Sequence, residues 1–527
     1  MTQLLRTFWK ENSLIILIMG IASACTTIAS FSYSWILNGI IAQSSSQFYQ
    51  GCLILIASYL SYLLFKYAQI KYSSQLISKM VLFLRERVID KLTSQSPNTF
   101  KQTAVGSHAS KLSNDIIQIE QQGIMNVYEL LANFISLCFA LGSLLLIHWL
   151  LFIIVCIQLI ILLQLPKLLD QKLKQFALEF ADQNEQANQY ATELLSGFST
   201  FYLLQNLHFL RQKLVQAYDL VRQAKNKQMT LMAKVIVLGG LGNICGQVTA
   251  IALAGYFALQ HEISIGAVTT VLSLATIVFN TAGNMSQYLA TIRSVEPLFE
   301  KNQYFESTED KKTAQAKQVT NFDIRFADVT FQYPNSAPLF QHLDYHFKEG
   351  KKYAIVGASG KGKSTLFQLM MGLLPVTNGK IYLGKEDYQK LGTTTLRNQI
   401  LYLEQNPYLF SGTIRENLVL GEDFSDGALQ QALQQAGLGE LKAQLDYLLT
   451  EHGNNLSGGQ KQRLVLARGL LRKKKIILMD ESTANVDTKT ARQIEQFIFN
   501  LKECTVLMIT HHLDEQLAKQ CEQILKL

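Results

Sequence analysis

The chain has 527 residues, of which 48% are apolar and only 17% charged, with a net charge of +8. Ordinary soluble proteins carry roughly 25% charged residues, so this deficit, with a mean hydropathy of +0.12, excludes a wholly soluble enzyme. Seven prolines exclude a Pro-rich disordered or collagen-like chain.

From the N-terminus, six apolar runs are each long enough to cross a hydrocarbon core of ~30 Å, which takes about 20 residues. They cover residues 13–42, 49–78, 124–147, 149–169, 235–259 and 264–290, and their middles read as uncharged. Ala22-Ser23-Ala24-Cys25 has the look of a cleavage or lipidation site, but the run continues to Ile41 and reads as the first span. The short loops near 43–48, 147–149 and 260–264 lack Lys and Arg, whereas the insertions at about 66–123 and 166–234 are rich in both. Basic residues stay on the cytoplasmic side, so the insertions and both termini are expected there. The positive charge is thereby assigned to membrane topology, with no nucleic-acid partner. Residues 79–95 and 170–195 have helical period, which predicts membrane helices continuing into the cytoplasm with connections near 97–106 and 196–205. None of the seven cysteines forms a CxxC pair, so neither zinc nor a disulfide framework is indicated.

Residues 1–300 therefore read as an all-α membrane domain of six helices. Residues 301–320 are polar and unpatterned and read as a linker. From there to 527, short apolar strands alternate with helical segments, the pattern of an α/β domain.

Three motifs in that last part carry chemistry. Gly357-Ala-Ser-Gly-Lys-Gly-Lys363-Ser364 fits GxxxxGK[ST], follows the apolar stretch Lys352–Val356 and opens a helical run at Thr365. Such a loop turns backbone N–H groups around a polyphosphate. Gly357, Ser359, Gly360, Lys361, Gly362, Lys363, Ser364 and Thr365 are the candidate ligands, with Lys363 on the β/γ-phosphates and Ser364 on magnesium. Ile476–Asp480 is an apolar strand ending in Asp480-Glu481. Carboxylates at a buried strand tip call for a cation, so Asp480 is expected to hold Mg²⁺ through water and Glu481 to act as base toward an attacking water. Leu456-Ser-Gly-Gly-Gln460 precedes a basic amphipathic helix, and an SGG turn at a helix N-terminus makes an anion site. Two anion sites for one nucleotide suggest that the second comes from another subunit.

On these residues the chain resembles the ATP-binding cassette superfamily, and over its whole length the exporter-type half-transporters. The fold this implies is a six-helix transmembrane domain with a C-terminal P-loop NTPase domain. The resemblance places an adenine-stacking ring at Tyr333 and a magnesium-sensing glutamine at Gln405. It also places an acidic cross-talk residue at Glu451 and a γ-phosphate-sensing histidine at His511, beside His512. The remaining cofactor contacts it implies are Ser364, Gln405 and, through water, Asp480 on Mg²⁺. Ser457, Gly458, Gly459, Gln460 and Asp487 would act in trans on ATP held by the partner chain. Arg85, Pro97, Phe100, Gly106 and Asn114-Asp115 match its first cytoplasmic loop, and Glu193, Gly197 and Phe201 its second. Relatives usually extend further beyond the histidine, which here is followed by 16 residues, so fewer C-terminal dimer contacts are expected.

The resemblance implies ATP-driven transport by a dimer, a homodimer or one half of a heterodimer, in a bacterial plasma membrane and in contact with its lipid. Export of an amphipathic, peptide-like or hydrophobic small molecule is the first expectation. An importer on the same fold, or a heterodimeric exporter of thiols, haem, lipid or peptide, is the alternative. Asn38, Asn133, Gln158, Asn243, Gln247, Asn280 and Asn284 lie in the spans without a central charge. They serve either a substrate cavity or hydrogen bonding between helices.

Overall fold

The computed structural model describes residues 1–101, 103, 105–164, 169–302, 304, 319–334, 336–358, 360–405, 407–481, 488–510 and 513–527. The chain divides into two compact units. One comprises Met1–Ser94 with Ala104–Ser307, and the other Gln95–Thr103 with Thr308–Leu527.

The first unit is helical. Its apolar helices are Trp9–Ile41, Ser45–Thr93, Met125–Ile147, Trp149–Gln164, Leu207–Leu259 and Ile265–Ser294. Five helical stretches among the described residues are long and apolar enough to cross a membrane. The fourth run, read as 149–169, is a 16-residue helix ending at Gln164, and residues 165–168 lie outside the described residues. Ser45–Thr93 runs unbroken for 49 residues, and Asp170–Ser196 and Leu207–Leu259 flank the short helix Phe198–Leu203. Of the segment read as a linker, Asn302 and Tyr304 are buried, and the Asn302 side-chain amide donates to Asp115 (3.1 Å) and to the Tyr304 hydroxyl (3.1 Å).

Two apolar clusters hold this unit together. Leu4, Met19, Met80, Leu84, Ile119 and Tyr128 belong to one, and Leu144, Val155, Ala250, Ala254, Val278 and Phe279 to the other. Small residues let the helices of the second approach closely: a Cβ on Gly246 would sit 2.4 Å from the Phe279 ring. Hydrogen bonds across helices supplement the packing. They include Ser23–Ser136 (2.9 Å), Ser30–Ser273 (2.8 Å) and Asn243 to Asn280 (2.7 Å).

The uncharged middles expected of the spans need correction. Lys66 and Glu129 fall inside two of those runs, and both line a membrane cavity. The Ser45–Thr93 helix runs through Lys66 without a break, and at 1.5 Å per residue Lys66 lies about 32 Å along it from Ser45.

The second unit is built on two principal sheets. Strands β1 (Ile324–Gln332), β2 (Pro338–Phe347), β4 (Asn378–Leu383) and β5 (Glu386–Asp387) form an antiparallel sheet in the order β2-β1-β4-β5. A parallel sheet joins β3 (Lys352–Val356), β6 (Ile400–Leu403), β9 (Ile476–Asp480), β10 (Thr505–Ile509) and β11 (Gln523–Lys526) in the order β11-β3-β10-β9-β6. The two-residue strands β7 (Gly412–Thr413) and β8 (Leu448–Leu449) pair separately. All five residues of β9 and of β10 are buried, as expected of parallel strands covered on both faces. Their side chains alternate between two cores, with Ile477, Met479, Val506 and Met508 in one and Ile476, Leu478, Leu507 and Ile509 in the other. Pairing β10 with both β3 and β9 brings the carboxyl ends of these strands together. A parallel sheet presents its ligand site at that edge.

Candidate active site

The loop after β3 leads into the helix Lys363–Met370. Gly362, just before it, has φ +88°, a left-handed conformation that costs glycine little. A Cβ there would meet the Phe340 ring at 2.8 Å and Leu339 at 2.9 Å. Glycine is therefore required twice over at this position. The Lys363 side chain is largely buried, and its ammonium donates to the carbonyls of Gly357 (2.9 Å) and Ala358 (3.1 Å). No side chain caps this helix, so its first N–H groups and their positive dipole end are free for an anion.

Tyr333 leans edge-on against Phe331 (ring centroids 4.9 Å apart), and its hydroxyl pairs with Thr365 Oγ1 at 3.1 Å. Its ring is thus fixed at both ends beside the loop. A cavity of about 580 Å³ gathers Tyr333, Gly360, Gly362, Lys363, Ser364, Thr365, Gln405, Asp480 and Glu481 among its walls.

Asp480 closes β9, and Glu481 follows in a left-handed conformation with φ +47°. Holding a non-glycine residue there costs of order 1–3 kcal/mol. Its N–H is tied to the Ile509 carbonyl at 3.2 Å, which helps to enforce the turn. Gln405 Nε2 donates to Glu481 Oε2 at 3.0 Å. The cluster of hydroxyl, carboxylate and side-chain amide oxygens on Ser364, Asp480 and Gln405 suits a hard cation such as Mg²⁺.

Tyr402 belongs to none of the sequence motifs. It sits on β6 beside β9, and its hydroxyl donates to Asp480 Oδ2 at 2.9 Å. Burial, then the Asp480 charge, pushes the Tyr402 hydroxyl well above its ordinary pKa. It therefore stays a neutral donor to that carboxylate. Only the pairing of β6 with β9 reveals this contact.

The signature segment stands apart from this cleft. Ser457 caps the helix Gly458–Leu471, accepting from Gln460 N (3.2 Å) while Gln460 Oε1 accepts from Ser457 N (2.9 Å). Gln460 thus serves its own helix as the return arm of a capping box. Ser457, Gly458, Gly459 and Gln460 do not line the phosphate-loop cavity. Glu451 is exposed and lies 3.8 Å from His452.

Further along the signature helix, half-buried Arg468 donates to the carbonyls of Asn417 (2.6 Å) and Tyr408 (3.0 Å), and to Asn417 Oδ1 (3.1 Å). Desolvation, and then Arg472, lower its pKa to about 10. These bonds fasten the signature helix to the segment that follows Gln405.

In the same unit, the Asn98 side-chain amide donates to the Leu373 carbonyl. Pro97, Gln405 and Asp480 are among the residues around a second cavity of about 570 Å³. This cavity shares Gln405 and Asp480 with the cleft, and Pro97 brings the connection expected near 97–106 to its wall. Ser359, Asp487 and His511 lie outside the described residues.

Residues 13–282 match the family model for the ABC transporter transmembrane region, and residues 340–484 the ABC transporter model. The chain is 26% identical to the uncharacterized ABC transporter ATP-binding protein YfiC of Bacillus subtilis, over 90% of this chain and 80% of that one. It is 29% identical to the lactococcin-A transport/processing ATP-binding protein LcnC of Lactococcus lactis, over 64% of this chain. It spans about half of that relative's length (48%). A bacterial Atm1-family ABC exporter solved with ATP bound superimposes with a TM-score of 0.83 at 22% identity, covering 99% of this chain and 93% of that one. The chain belongs to the ABC transporter family and carries the family's transmembrane region and its ABC transporter domain in one polypeptide.

Proposed function

We propose that the chain hydrolyses ATP as a dimer and uses the energy to export a small amphipathic or peptide-like molecule across a bacterial plasma membrane. The observation carrying this reading is the single cleft that joins the phosphate loop, Asp480, Glu481 and Gln405. In it, Tyr333 stacks the adenine, and the N–H groups from Gly357 to Thr365, with the Lys363 ammonium, hold the phosphates. Ser364, Gln405 and Asp480 would hold the metal, which would supply positive charge against that of the phosphates. The Glu481 carboxylate takes the proton of the water that attacks the γ-phosphorus, with His511 on the departing phosphate. The signature residues lie outside this cleft, which supports their acting on ATP held by a second copy, with Asp487 at the same interface.

Complementation tests the shared site. Lys363→Ala and Gly459→Asp chains, each inactive alone, are expected to regain up to about half of wild-type ATPase per mixed dimer, because one of its two composite sites is intact. A mixture as inactive as its components would contradict sites shared between copies.

Tyr402→Phe should leave ATP affinity nearly unchanged while lowering turnover about 5- to 30-fold, since it removes a donor that orients Asp480, an effect of about 1–2 kcal/mol. Steady-state kinetics with a separate nucleotide-binding measurement would check this. Turnover equal to wild type would show that Asp480 needs no such partner.

The lactococcin transport named for a relative supports export of a peptide-like molecule over import.

A further inference from the structure

The membrane unit contains a cavity of about 760 Å³ between the Trp9–Ile41, Ser45–Thr93, Met125–Ile147 and Ile265–Ser294 helices. That volume suits a drug-sized or small-peptide ligand. Its walls are unusual for a space at membrane depth. Only Met19, Ala22, Ala132, Leu272 and Ile277 are apolar, and every other lining side chain carries a hydroxyl, an amide or a charge. Some of this polarity is consumed within the protein, as in the Tyr33–Tyr59 hydroxyl pair (3.1 Å) and the Asn243–Asn280 bond (2.7 Å).

The two charges are different. Lys66 and Glu129 both line the cavity, and neither forms a salt bridge among the described residues. Ionisable side chains in a transmembrane segment are costly and mark a substrate path by default. Glu129 lies about 27 Å along its helix from Ile147, and Lys66 about 32 Å from Ser45. Both therefore sit at the cytoplasmic end of the cavity, where a substrate entering for export would meet them first.

We propose that Lys66 and Glu129 make this cavity selective for a zwitterion of small-peptide size, with the ligand's carboxylate facing Lys66 and its ammonium facing Glu129. This rests on the export reading and narrows its substrate class. One charge of each sign gives the cavity no net preference for anions or cations. Most of the wall hydroxyls and amides already bond within the protein, so the two charges set the preference, and a lipid tail would leave them without a partner at a cost.

The test is equilibrium binding to the full chain in lipid nanodiscs without nucleotide, so that the outcome is independent of hydrolysis. The probes are radiolabelled Ala-Leu-Ala with free termini, its N-acetyl form, its C-terminal amide and the doubly blocked form. The free tripeptide should bind about 10-fold tighter than either singly blocked form, as expected for the loss of one charge-assisted contact. Lys66→Glu should shift preference to the amide, and Glu129→Lys to the N-acetyl form. Lys66→Gln and Glu129→Gln should reduce discrimination at the corresponding terminus, with ATP binding by each preparation as the check that it is folded.

Equal binding of the four forms, binding of none, or variants that keep the wild-type order would each overturn the proposal, and the wild-type panel is decisive even where a variant fails to fold. The ATPase reading is judged separately, by whether wild-type hydrolysis requires Glu481.

Discussion

Glu481→Gln is expected to lower ATP turnover by ~10²–10⁴-fold, the range for loss of a general base, while ATP binding persists. The substitution keeps the size of the side chain, and its amide oxygen can still accept from Gln405 Nε2, which donates to Glu481 Oε2 at 3.0 Å. It also leaves the turn at φ +47° under the same strain as before. Only the capacity to take a proton is removed. Pre-steady-state hydrolysis with nucleotide binding on the same sample separates the two effects, and the bound state should accumulate as a closed dimer. Wild-type turnover in this variant would remove Glu481 from the role of base.

Lys363→Ala should act one step earlier. The buried ammonium holds the loop through the Gly357 and Ala358 carbonyls, and arriving phosphates would replace those neutral acceptors with charged ones. Hydrogen bonds to charged groups contribute about 1.5–3 kcal/mol, so ATP affinity should fall by about 10- to 150-fold. Alanine is a strong helix former, so the Lys363–Met370 helix should survive. Titration with a fluorescent ATP analogue measures the loss, and unchanged affinity would contradict the phosphate-loop assignment.

Much of this site is legible in the sequence because its chemistry depends on fixed local spacing. Gly362, Lys363 and Ser364 are neighbours in the chain, and the strand ending in Asp480 declares itself by an unbroken apolar run. Contacts made across the sheet are a different matter. Tyr402 touches Asp480 because β6 lies beside β9, and nothing near residue 402 announces that neighbour. Gln460 reads in sequence only as a trans ligand, and its part in the capping box of its own helix emerges from the structure.

In the membrane unit, a periodic pattern fixes the helices but not where the bilayer ends along them. Hydropathy reads the middle of the 49–78 run as uncharged, whereas Lys66 lies inside it and lines the cavity. The amides divide similarly. Asn38 donates to Ser264 Oγ (3.1 Å) and accepts from the Gly266 N–H (2.9 Å), as hydrogen bonding between helices requires. Asn133 and Asn284 face the cavity instead. Both roles exist in one set of residues that hydropathy cannot separate.

Vectorial transport by the purified chain in liposomes tests whether hydrolysis in the Glu481 cleft drives the proposed export. Mg²⁺-ATP added outside reaches only molecules whose ABC domain faces outward, for which export means movement into the lumen. ATP-dependent lumenal accumulation of labelled Ala-Leu-Ala is expected, and its absence with Glu481→Gln. Hydrolysis without accumulation, or ATP-dependent loss of tracer loaded beforehand into the lumen, would contradict it.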